Sequence, residues 1–256
     1  MNRIRKLFSQ KKSQILSVYF TAGFPQLADT VPILKALQAN GVDLVEIGIP
    51  FSDPMADGLV IQASNHVALQ NGMSIRKLFE QLTDVRNEIH IPLVMMGYLN
   101  PIMQFGFENF CRACKRVGVD GMIIPDLPMS DYLSSYKSIA ESYDLKFIFL
   151  ITPETSDARI RQIDEETDGF IYMVSSAAVT GTQSSFDTRI AYFNRINAMN
   201  LKNARLIGFG VSNKATLDVV NQYAFGAIIG SAFIKALQET KDVELGVKLL
   251  LRNLEK

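Results

Sequence analysis

The sequence predicts an α/β protein built as a (β/α)8 barrel. Eight short apolar runs rich in β-branched residues alternate with helical patterns along the whole chain. No linker, repeat or low-complexity segment breaks that alternation. The length of 256 residues, 48% of them hydrophobic, suits one large core, and one-domain α/β barrels reach this size. Residues 1–256 are therefore expected to form a single domain. A doubly wound open sheet is the alternative, disfavoured because no G-x-G-x-x-G follows the first apolar run.

The chain opens on MNRIRKLFSQKKSQ, which is basic and lacks the apolar core of a secretory signal. An extra helix is expected here, before the first strand. Strand 1 is ILSVYF (15–20) and strand 2 is VDLVEIG (42–48), with the amphipathic stretch TVPILKALQANG between them. Strand 3 is IPLVMMG (91–97). The interval from 42 to 91 is far longer than the others, so an extended loop follows strand 2. In a barrel the loop after each strand lies on the catalytic face. Strands 4 to 8 are DGMIIP (120–125), KFIFLIT (146–152), GFIYMVS (169–175), ARLIGFG (204–210) and GAIIGS (226–231). Helical stretches such as NFCRACKRVG, LSSYKSIAESY and ATLDVVNQYAFG separate them, and several end in the C-capping residue glycine.

Lys+Arg and Asp+Glu balance at 26 each, which offers nothing to nucleic acid or an anionic membrane. No apolar run approaches the ~18 residues of a membrane span. A cytoplasmic protein is expected. The two cysteines, Cys111 and Cys114, form one C-x-x-C, but no second Cys/His pair follows to complete a zinc site. Phe107, Phe110, Cys111, Cys114 and Val117 recur at helical spacing, so the thiols are read as facing the core. His66 and His90 stand alone, and no metal site is expected.

The stretch EIGIPFSDPMADGLVIQ (46–62) carries the candidate chemistry. Strand alternation puts Leu44, Glu46 and Gly48 on one face. A surface acid at a strand end is the bland reading of Glu46, and it is weak because barrel strands are covered on both faces. A buried carboxyl without a partner shifts its pKa upward, which suits a general acid/base. Asp57 has two readings: an acid on the catalytic loop, or a backbone and helix-capping residue before VIQASNHVALQ.

The segment EIGIPFSDPMADG (46–58) resembles the signature of the tryptophan synthase α-subunit family. Further matches follow in order: FTAGFP, GYLNPIMQFG, PDLP, VTG, GFGVS and IGSA. The resemblance implies retro-aldol cleavage of indole-3-glycerol phosphate to indole and glyceraldehyde 3-phosphate. It implies that Glu46 shuttles the proton and that Asp57 binds the indole nitrogen. It also implies that Tyr172, Thr180 and Tyr19 contact substrate, although core packing explains Tyr172 equally well.

Glycines after strands 7 and 8 let the main chain approach an anion, and a helical run follows GS at 230–231. No lysine or arginine falls in the expected phosphate loops, so backbone donors are expected to do the work. The resemblance selects Gly181, Gly210, Gly230 and Ser231 as the phosphate contacts. It further implies a separate β subunit carrying pyridoxal phosphate, in an α2β2 assembly, with no cofactor in this chain. Asp53, Pro54, Asn100, Pro101 and Pro128 match the family's contact region, though plain turn chemistry accounts for them too.

Three positions depart from the pattern. Ser176 is arginine in many members, Ala178 is glycine, and Leu59 is often proline. The loop SSAAVTGTQSS resembles a mobile lid, and the missing arginine bears on how it latches. Two other functions compete with the enzyme subunit: a ligand-sensing activator of the β subunit with weak chemistry, and a stand-alone lyase releasing free indole. Retained Glu46 and Asp57 favour an enzyme over the activator.

Overall fold

In the computed structural model, the eight expected strands form one parallel sheet that closes on itself. The structure describes residues 1–175, 183–208 and 210–255, and only the backbone of 183–188. The strands are β1 (Ile15–Thr21), β2 (Leu44–Gly48), β3 (Leu93–Met96), β4 (Gly121–Ile123), β5 (Lys146–Phe147 continued by Phe149–Ile151), β6 (Phe170–Val174), β7 (Ala204–Gly208) and β8 (Gly226–Ile229). Consecutive strands are neighbours, and β8 returns to pair with β1. The first half of β5 pairs with β4, where Phe147 faces Met122. Its second half pairs with β6, where Phe149 faces Ile171. Ile148 joins the halves and donates its N–H to the Met122 carbonyl at 3.0 Å. One strand thus bridges both edges of the sheet, and closure removes them.

The strands are shorter than the apolar runs that announce them. The sequence places strand 8 through 231, yet Ser231 already opens the helix Ser231–Thr240. Strand 7 ends at Gly208 rather than 210, and strand 4 at Ile123 rather than 125. The runs overshoot because residues just past the sheet are still covered: Ile124 is 2% exposed. Hydrophobicity follows burial, while strand ends follow the hydrogen-bond ladder.

Helices fall where the periodicity puts them: Thr30–Ala39, Phe107–Val117, Lys137–Ser142 and Lys214–Tyr223. Gly41 and Gly118 follow two of these helices with φ near +80°, the left-handed turn that glycine adopts without a Cβ penalty. Cys111 and Cys114 are buried on the helix Phe107–Val117, as its spacing predicts. Burial pushes the Cys111 thiol up to about 12, so it stays protonated.

The extra N-terminal helix, Arg3–Gln10, plugs one end of the barrel. Its Ile4 and Phe8 pack beneath the inward layer of Leu44, Val94, Ile123, Ile148 and Phe170. Asn2 caps the helix and donates its side-chain amide to the carbonyls of Asp120 (2.8 Å) and Asp144 (2.9 Å). Asp120, 3% exposed, accepts from Arg3 (3.1 Å), Arg86 (2.7 Å) and the Leu93 N–H (3.0 Å). Asp120 precedes β4, so this closed end is the N-terminal one. The C-terminal end is left to the loops.

Removing one partner of a buried ion pair leaves the other uncompensated. Asp120→Ala should therefore destabilise the fold by about 3–5 kcal/mol. Turnover at a temperature where the variant stays folded should remain near wild type. Urea unfolding followed by circular dichroism measures the first effect.

Candidate active site

Between β2 and β3 the chain leaves the barrel for the helices Leu59–Gln70 and Ile75–Gln81. This is the long interval seen in the sequence. It carries Asp57 across the C-terminal mouth, while Glu46 stays on β2. Glu46 is in register with Tyr19 of β1 and Val94 of β3. Its inward orientation follows from strand alternation.

Glu46 is fully buried. Its Oε1 accepts a hydrogen bond from the Ser17 hydroxyl at 2.9 Å. Its Oε2 is buried with no hydrogen-bond partner. Burial disfavours the charged form and pushes the carboxyl up to about 8; the Ser17 bond opposes this only in part. Such a group holds a proton at neutral pH and releases it readily.

Asp57 sits in a different environment. It is partly buried, and burial pushes it up to about 6, against hydrogen bonds from Tyr98 and Asn65. The Tyr98 hydroxyl accepts the Ala56 N–H at 3.0 Å, which turns its own O–H to Asp57. The Asn65 amide lies 3.4 Å from Oδ2. The capping reading of Asp57 fails: Gly58 occupies the N-cap of Leu59–Gln70, with no side-chain cap bond.

A cavity of about 470 Å³ opens at this mouth, lined by Tyr19, Asp57, Met96 and Tyr172 together with Gly210, Gly230 and Ser231. Tyr19 and Tyr172 are held alike. A Cβ on Gly48 would overlap the Tyr19 hydroxyl, and a Cβ on Gly208 would overlap that of Tyr172. Each ring therefore rests on a glycine of the next strand. Burial raises both phenols, and nearby carboxylates raise them further, so both stay neutral. Glu46 itself does not line the cavity. It is enclosed, yet close enough for its charge to act on Tyr19 and Tyr172.

The glycine end suits an anion. Gly210 has φ +80°, a conformation side chains rarely adopt. The helix Ser231–Thr240 has no side-chain cap at Gly230. Its first intrahelical bonds come from the N–H groups of Phe233 and Ile234, so the donors before them remain available. Thr180, Gly181, Ser176 and Ala178 lie outside the described residues, as does most of the expected lid.

The expected contact region is split. Asp53, Asn100 and Pro128 are exposed, Pro101 is half-buried and Pro54 is buried. Asn100 and Pro101 belong to the first turn of the helix Leu99–Phe105, so they are not plain turn residues. Met55 and Leu59 stand nearby in the chain, 94% and 82% exposed.

Sequence reasoning missed Ser17, Asn65 and Tyr98, which hold the two acids. Ser17 shares the inward parity of Tyr19, a signal that was present. Tyr98 leaves β3 at the mouth, but its bond to Asp57 joins two separate loops. Among the described residues no helix is long and apolar enough to cross a membrane, and no cluster of metal-binding side chains occurs.

Comparison with known proteins bears on this geometry. Residues 6–255 match the family model described as tryptophan synthase alpha chain. The tryptophan synthase alpha chain of Parabacteroides distasonis is 62% identical over 98% of both chains. That of Bacteroides thetaiotaomicron is 58% identical over 96% of this chain and 97% of the other. Among solved structures, the alpha chain of Legionella pneumophila superposes with a TM-score of 0.89 at 31% identity, over 99% of this chain and 96% of that one. The A-subunit from Pyrococcus furiosus gives 0.86 at 34%, over 96% and 99%.

The pKa of Glu46 has a consequence for stability. Well below pH 4.5, folded and unfolded chains both hold the proton. Between about 4.5 and about 8 the unfolded chain releases it and the folded chain keeps it, so stability falls as pH rises. Glu46→Gln lacks this loss. Its stability relative to wild type should rise across that window, by a few kcal/mol on the order set by linkage, and level off above it. Urea titrations at pH 5 and pH 8.5 give the difference; an equal gap at both pH values would show that Glu46 titrates normally.

Proposed function

Because this chain belongs to the tryptophan synthase alpha chain family, we propose that Glu46 and Asp57 are the acid–base pair of that family's reaction. The reaction is a carbon–carbon lyase step, the retro-aldol cleavage of indole-3-glycerol phosphate to indole and glyceraldehyde 3-phosphate. The chemistry asks for three things. Indole C3 must be protonated, the ring N–H must be polarised, and a proton must leave the glycerol hydroxyl next to the breaking bond.

The observation that carries the assignment is the buried, unpartnered Oε2 of Glu46 on a carboxyl held near 8. A group with that pKa is mostly protonated at neutral pH and serves as donor, then as acceptor. Asp57, held near 6, is mostly ionised there and serves as acceptor for the indole N–H. Two carboxyls with separated pKa values mark two roles. Because Glu46 is enclosed, substrate entry has to bring Oε2 into contact with the cavity. Tyr19 and Tyr172, neutral and seated on glycines, form walls for the ring.

The phosphate belongs at the other end, against the backbone of Gly210, Gly230 and Ser231. Gly181 and Thr180 complete the reading from the sequence alone. The partner in this reading is a β subunit that carries pyridoxal phosphate and receives indole, in an α2β2 assembly in the cytoplasm. Asp53, Asn100 and Pro128, with exposed Met55 and Leu59, supply a surface for it. Family membership favours this subunit role over the stand-alone lyase and over the activator.

Glu46→Gln and Asp57→Asn keep shape and remove one titrating group each. Each should lower kcat by at least ~10²-fold, the scale of a positioned acid or base. In the wild type, kcat/KM should fall below about pH 6, where Asp57 gains a proton, and above about pH 8, where Glu46 loses one. Asp57→Asn should abolish the acidic limb alone. Near-normal indole formation by either variant removes that residue from the mechanism.

A further inference from the structure

The phosphate end as read above contains only neutral donors, and the charges do not balance. A phosphomonoester carries roughly −1.5 to −2 at neutral pH. A helix N-terminus offers the equivalent of about half a positive charge. About one to one and a half units of negative charge would be left in a partly enclosed cavity, where it is expensive.

Among the described residues, two cations line the cavities here. Lys235 lines the main cavity, but Glu239 lines it too, four residues along the same helix Ser231–Thr240. Their charges largely cancel at a distance. Arg189 stands on the other side. It projects from the helix Gln183–Ala198, and its Nη1 is 3.7 Å from where a Cβ on Gly210 would be. It also lines a second cavity, of about 180 Å³, together with Ser175, Gly210 and Val211. Gly210 and Val211 line both cavities, so the two meet at the glycine expected to face the phosphate.

From this placement we propose that Arg189 is the cation of the phosphate site, binding the phosphoryl group of substrate and product from the Gly210 side. The proposal deepens the functional reading and depends on its phosphate placement. Arg189 already holds a neighbour in this state; what the proposal uses is its reach. A guanidinium is suited to the task because its planar fork of donors matches two phosphate oxygens. Positive φ at Gly210 keeps that side of the loop free of a side chain that would separate the two. The consequence is selectivity: Arg189 rewards the phosphorylated end of the ligand and ignores the indole end.

The test is equilibrium binding of glyceraldehyde 3-phosphate, and separately of indole, to the full chain carrying Arg189→Gln, Arg189→Lys, Lys235→Gln or Gly230→Ala. Arg189→Gln should weaken the phosphate ligand by about 10- to 100-fold, the range for losing a charged hydrogen bond. It should leave indole affinity within error. Arg189→Lys should recover part of the loss, and Lys235→Gln should cost far less. Added sodium chloride should weaken phosphate binding in the wild type more steeply than in Arg189→Gln. A Cβ at Gly230 meets only ordinary contacts from Tyr19 and Ile61, so Gly230→Ala folds and probes the loop itself. Loss of phosphate affinity in Gly230→Ala, with none in Arg189→Gln, overturns the proposal and keeps the phosphate placement. No loss in Gly230→Ala overturns the placement. Equal weakening of both ligands in Arg189→Gln, or a loss confined to Lys235→Gln, also overturns the role of Arg189.

Discussion

A carboxyl group enclosed in the barrel interior is the constraint on which the rest depends. Glu46 keeps one oxygen bonded to Ser17 and leaves the other with nothing. In water that arrangement would be costless and useless. Inside the barrel it raises the proton affinity to where acid–base chemistry works at neutral pH. The group must be shielded from bulk solvent for this, and two features help to shield it. The split strand at Ile148 closes the sheet, and the N-terminal helix fills the end opposite the loops with Ile4 and Phe8. The Asp120 cluster ties that helix to the closed end, away from the acids.

The site divides its labour between a rigid strand and a loop. Glu46 gains its unusual pKa from a position the fold cannot easily relax. Asp57 sits on the excursion between β2 and β3, where Tyr98 and Asn65 hold it and partly offset its burial. The two tyrosines extend the same logic. Gly48 and Gly208 have no side chains, so the rings of Tyr19 and Tyr172 lie down on the strands beside them. A missing Cβ in one strand positions a polar group from its neighbour.

Much of this was legible in the sequence. Eight apolar runs gave the strand count because each strand is buried on both faces. Parity placed Glu46 inward, and the interval from 42 to 91 located the extra loop. Glycines at 210 and 230, singled out by their place after strands 7 and 8, both line the cavity. What was not legible depends on contacts between distant elements. Tyr98 meets Asp57 only because the loops after β2 and β3 cross. Arg189 reaches Gly210 only because a helix lies against the loop after β7, so the loop sequences themselves hold no cation. The capping role considered for Asp57 went to Gly58 instead, because the carboxylate is turned to Tyr98. Strand ends were overestimated at 124–125 and 231, since hydrophobicity continues where the ladder has stopped.

The central claim is that burial alone makes Glu46 an acid of neutral pH, and its own titration tests that most directly. Infrared difference spectra of the carboxyl C=O band, recorded from pH 4 to pH 10 on the full chain, would follow the protonated form, with Glu46→Gln identifying the band. The account predicts a band assigned to Glu46 that persists through neutrality and disappears around pH 8. A Glu46 band already lost by pH 5 to 6 would contradict it, and with it the assignment of Glu46 as the proton donor.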